Sequence, residues 1–91
     1  MSHTHRGQRT VVYGASSGMG RETALALARA GADVAVLARD FDALTAVAAE
    51  IKTMGRRAVP IAVDVQDSKA ARDSVSKIVD VFGGLDLNSV V

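Results

Sequence analysis

The stretch "TVVYGASSGMGRETALALARAG", residues 10–31, decides the fold. It opens with a β-branched and aromatic run, Thr10 to Tyr13, which suits a buried strand once later elements cover it. Three glycines and two serines follow. Then "RETALALARA" (21–30), built from strong helix formers, stops at Gly31, a good C-terminal cap. The order is strand, glycine-rich loop, helix.

The same order repeats downstream. "ADVAVLA" (32–38) is apolar without alternation, as a parallel strand buried on both faces should be. Asp40 is placed to cap a helix whose apolar positions are Phe41, Leu44, Val47, Ala48 and Ile51, ending at Gly55. "AVPIAVD" (58–64) reads as a third strand, and Pro60, which cannot donate to a ladder, puts it at a sheet edge. Asp67 or Ser68 caps a third helix with Ala71, Val75, Ile78, Val79 and Phe82 on one side, closed by Gly83 and Gly84. "LDLNSVV" (85–91) begins a fourth strand. Right-handed crossovers turn this order into a parallel sheet with helices on both faces. The predicted class is α/β, a partial Rossmann fold: a doubly wound parallel sheet with strand and helix repeated three times and a fourth-strand stub.

Bulk properties narrow the function. Ninety-one residues make one domain or part of one. Eleven basic and ten acidic residues are interspersed, giving a formal charge of +1. No basic stripe points to nucleic acid and no acidic tail to a cationic partner. The absence of cysteine excludes disulfides and thiolate metal sites. "MSHTHRGQR" lacks the apolar core of a signal peptide, and no uninterrupted apolar run is long enough for a bilayer. These features predict a soluble cytoplasmic protein that engages no membrane. His3 and His5 lie in a polar leader without a third ligand, so residues 1–8 read as a flexible tail and 9–91 as the domain.

The glycine loop now has a context. Gly14 allows a sharp turn off the strand, Gly18 lets backbone approach a phosphate closely, and Gly20 lets the helix pack tightly on the sheet. Free N–H groups at the start of that helix would face an anion, aided by the helix dipole. Ser16 and Ser17 add hydroxyl donors without bulk. The spacing is Gly-x-x-x-Gly-x-Gly, which differs from the commoner Gly-x-Gly-x-x-Gly fingerprint. Arg39 stands nineteen residues beyond Gly20, at the end of the second strand. An acidic side chain there would accept hydrogen bonds from the ribose hydroxyls of NAD. Arginine instead makes paired hydrogen bonds to a phosphate, and Ala38 before it offers neither carboxylate nor bulk, so NADP is preferred over NAD.

"YGASSGMGRETALALARAGADVAVLARD" (13–40) resembles the cofactor-binding opening of the short-chain dehydrogenase/reductase family. "VDVQD" (63–67) and "FGGLDL" (82–87) fall where that family has similar segments, and the resemblance covers residues 9 to 87. It implies that Gly14, Ser16, Ser17, Gly18, Met19 and Gly20 surround the adenine ribose and pyrophosphate. It further implies that Arg39 contacts the 2′-phosphate and that Asp64 meets the adenine amino group, with Val65 beside the ring. Tyr13 departs from the family's usual threonine, and "NSVV" departs from its Asn-Asn-Ala-Gly segment. The family's catalytic serine and its Tyr-x-x-x-Lys pair lie further on, so no catalytic residue is assigned here. The expected function is the NADP-binding portion of an oxidoreductase transferring hydride between NADP and an alcohol or carbonyl substrate, truncated and inactive by itself.

Two alternatives stay open at this point. One is a nucleotide-binding module without catalysis. The other is a methyltransferase-like half-domain for S-adenosylmethionine, which wants an acidic group where Arg39 stands. The fourth-strand stub would also leave an unpaired edge. The isolated chain is expected to be marginally stable, with Val12 or Val36 partly in water, and either to self-associate through that edge or to be loosely packed.

Overall fold

The computed structural model describes residues 8–64 and 66–84. Its elements alternate as the sequence predicts: β1 (Arg9–Tyr13), α1 (Gly18–Arg29), β2 (Asp33–Ala38), α2 (Phe41–Thr53), β3 (Ala58–Ala62) and α3 (Ser68–Phe82). The three strands are parallel in the order β1-β2-β3, with Val12 opposite Val36 and Val36 opposite Pro60. Three strand–helix units in this arrangement make a partial Rossmann-like α/β fold. The expected fourth strand, Val65, His3 and His5 lie outside the described residues.

Side-chain alternation along each strand divides the core in two. Val12, Val34 and Val36 point to the face covered by α1 and α2, where they meet Leu25, Leu44, Val47 and Ile51. Val11, Ala35 and Leu37 point to the other face, where Ile78 and Phe82 of α3 cover them. Val12 and Val36 are fully buried, so the expectation that they stand partly in water is corrected. They belong to the face with two helices, and those two suffice to cover it. Phe41 and Val79 also depart from their predicted burial, at 50% and 38% exposure. Phe41 is the first residue of α2, and Val79 lies beside the buried stripe formed by Ser74, Ile78 and Phe82.

Helix ends follow local chemistry. The Asp40 Oδ1 accepts from the Ala43 N–H, and the Asp67 Oδ1 from the Ala70 N–H, each at 3.1 Å. α3 stops at Gly83, whose φ is 77°. β3 is an edge strand among the described residues, as Pro60 predicts. Val63 N–H donates to the Ala38 carbonyl and Val34 N–H to the Arg57 carbonyl. Odd-numbered residues of β3 therefore face β2, and Pro60 turns its missing donor outward.

A polar cluster ties the N-terminal end of the sheet. Asp33, whose side chain is 7% exposed, pairs with Arg57 at 3.0 Å and with Arg56 at 3.4 Å. Arg57 also donates from its backbone N–H to Asp33 Oδ1 and stacks over the Phe82 ring, 5.0 Å from its centroid. Asp33 thus links the start of β2 to the turn before β3 and, through Arg57, to the end of α3.

Candidate functional site

At the opposite, C-terminal end of the strands the chain opens into a cleft of about 460 Å³. Parallel α/β sheets place their ligand crevices there, because each strand is followed by a loop leading to a helix. Its walls are Gly14 and Ser16 after β1, Ala38, Arg39 and Asp40 after β2, and Val63, Asp64 and Gln66 after β3. Four residues expected at the site, Gly14, Ser16, Arg39 and Asp64, thus meet in one cavity although 50 positions separate the first from the last.

The glycine loop is built as its spacing suggests. Gly14 has φ 68°, and its N–H and that of Ala15 both donate to the Leu37 carbonyl, at 2.7 and 3.2 Å. This hooks the loop onto the end of β2. Gly18 has φ 56° and begins α1, so the helix starts three residues earlier than its best helix formers. A Cβ on Gly18 would enter open space, whereas one on Gly20 would overlap the Gly14 carbonyl. Gly20 therefore lets the first turn of α1 sit directly on the loop.

The N-terminus of α1 differs from the other two. Ser17 occupies the cap position in extended conformation, but its side chain makes no capping bond, whereas Asp40 and Asp67 cap α2 and α3 with their carboxylates; like α3, α1 has no acidic residue in its first turn. The N–H groups of Gly18, Met19 and Gly20 have no intrahelical acceptor by helix geometry. Met19 is 83% exposed beside them. A positive helix end without its own carboxylate suits an anion.

Arg39 is exposed, and among the described residues no hydrogen bond or ion pair engages its guanidinium. Asp64 is exposed and partly committed: its Oδ1 accepts from the Gln66 N–H at 2.9 Å, the local turn bond that a strand-end aspartate readily forms. Tyr13 packs on the α3 side of the sheet, against the Ile78 and Phe82 cluster. Val63 and Gln66 are cleft residues that sequence reasoning does not single out. Their signal was positional, since both flank Asp64 at the carboxyl end of β3.

Comparison with known proteins agrees with this geometry. A family model described as short chain dehydrogenase matches residues 8–88. The L-rhamnose 1-dehydrogenase (NAD(P)(+)) of Sphingomonas sp. (strain SKA58) is 40% identical over 82 residues, covering 89% of this chain and 32% of its own length. A short chain dehydrogenase from Burkholderia cenocepacia J2315, solved in complex with NADP, superposes with a TM-score of 0.86 at 41% identity, over 89% of this chain and 34% of its own. NAD+-bound xylitol dehydrogenase superposes with a TM-score of 0.87 at 31% identity, over 91% of this chain and 32% of its own. The chain spans about a third of the length of these relatives. Because the match runs through all three strand–helix units and the glycine loop between them, this chain belongs to the short-chain dehydrogenase family.

Proposed function

We propose that this chain is the NADP-binding portion of an oxidoreductase that moves hydride between NADP and an alcohol or carbonyl substrate. The observation that carries the cofactor choice is Arg39, an exposed guanidinium without a partner among the described residues, in the wall of the cleft. Solved neighbours include one with NADP and one with NAD+, so this fold accommodates both and the choice falls to side chains. Guanidinium at this position favours the dinucleotide with the extra phosphate, which it can grip through two parallel hydrogen bonds. The family assignment displaces the methyltransferase-like alternative.

The other roles follow from the same cleft. Gly14, Ser16, Ser17, Gly18, Met19 and Gly20 surround the adenine ribose and pyrophosphate, with the α1 N–H groups as donors. Asp64 meets the adenine amino group through the oxygen its turn bond leaves open. The nicotinamide supplies the hydride chemistry when bound. The residues of this chain bind and orient it.

Calorimetric titration tests the reading. NADP should bind more tightly than NAD. Arg39→Ala should remove about 1.5–3 kcal/mol of charge-assisted contact and bring the two affinities together. An unchanged preference in that variant would remove Arg39 from the site.

A further inference from the structure

The cleft is not uniformly cationic. Among the described residues its lining holds one cation, Arg39, and two carboxylates, Asp40 and Asp64. Asp40 follows Arg39 directly, yet no ion pair joins them among the described residues. Asp40 instead directs Oδ1 to the Ala43 N–H at 3.1 Å and caps α2. That cap needs an oxygen acceptor and not a charge, because asparagine and serine serve about as well. The charge is therefore free to act beyond the cap. It stands in the wall that receives an anion at Arg39, and it also offsets the positive end of α2, which would otherwise attract that anion.

We propose that Asp40 is a specificity-determining counter-charge that weakens phosphate binding at Arg39, so that the chain takes both NADP and NAD with a narrowed margin for NADP. Asp40 contacts no ligand in this arrangement and acts through space. The inference rests on the NADP reading above. A like charge a few ångström from a bound phosphate in a water-exposed cleft weakens affinity by about three- to tenfold, and salt screens the effect.

The test is calorimetric titration of the chain and of Asp40→Asn with NADP and NAD, at low and at high salt. Asp40→Asn keeps the cap and removes the charge. It should tighten NADP about three- to tenfold, leave NAD within about twofold, and lose most of the gain at high salt. Asp40→Ser, with a different capping oxygen, should behave alike, and circular dichroism should report the same helix content in all three proteins. Equal changes for NADP and NAD, or a gain indifferent to salt, would overturn the counter-charge while leaving the NADP reading intact. Binding of neither dinucleotide by the parent chain would overturn both.

Discussion

Gly18 and Gly55 share a left-handed backbone, with φ of 56° and 81°, and at both an added Cβ would enter open space. Alanine at either position should cost about 1–2 kcal/mol of stability through backbone strain alone. They differ in what occupies that space during function. In the proposed reading Gly18 faces the pyrophosphate at the start of α1, whereas Gly55 lies in the turn before β3, at the other end of the sheet. Thermal melts should therefore fall comparably for Gly18→Ala and Gly55→Ala, while titration shows NADP affinity lost only in the first. Equal affinities would place the pyrophosphate away from the glycine loop. Gly20 acts differently, through contact: Gly20→Ala should lift α1 from the Gly14 carbonyl, lowering both stability and binding. Sequence reading found Gly18 and Gly20 by spacing and Gly55 as a helix end, but it credited Gly18 with close approach alone. Its positive φ becomes visible only in the backbone, and it makes any β-branched substitution there a test of folding as much as of binding.

At the scale of elements, the Asp33 cluster should bear much of the attachment between the start of the sheet and α3. Asp33→Ala removes the carboxylate that two arginines share, leaving Arg56 its bond to the Gly31 carbonyl and Arg57 its bond to the Val81 carbonyl. The loss should be about 2–4 kcal/mol by chemical denaturation, softened by the partial exposure of Arg56 and Arg57. Arg57→Lys should recover little, because a point charge cannot reproduce the fork to Asp33 and the stacking on Phe82. A loss below about 0.5 kcal/mol for Asp33→Ala would mark the cluster as a solvated surface feature. This cluster was not legible in the sequence, since Asp33 and Arg57 are 24 positions apart and meet only because β2 and β3 pair in parallel. Periodicity exposed the elements themselves, and the caps Asp40 and Asp67 fixed where α2 and α3 start. It failed at Val79, because a stripe of apolar residues in sequence does not say how wide a face its neighbours cover. In the site, Arg39 and Asp64 were legible as strand-end residues, whereas Gln66 entered through a turn whose shape the sequence does not display.

For the molecule as a whole, the sheet separates two cores and two ends, and the separation has measurable consequences. Ile51 and Ile78 are both fully buried, on opposite faces. Each alanine substitution should cost about 2–5 kcal/mol, and the double variant should sum them to within about 0.5 kcal/mol. A larger deviation would show that the faces repack together. Asp33→Ala, at the end remote from the cleft, should lower the melting temperature yet leave the ratio of NADP to NAD affinity unchanged. Pro60 carries the separation sideways. With its donor missing on the outer margin of β3, an incoming strand would find a gap at the middle of its ladder, while Arg9–Tyr13 presents no such interruption. Lateral growth of the sheet is thus biased: one margin lacks a ladder donor at Pro60, and an added strand, from this chain or another copy, should pair more readily beside β1. Edge-to-edge pairing through β3 would start with a broken rung, which slows a sheet's extension at that margin much as a faulty link slows a growing polymer.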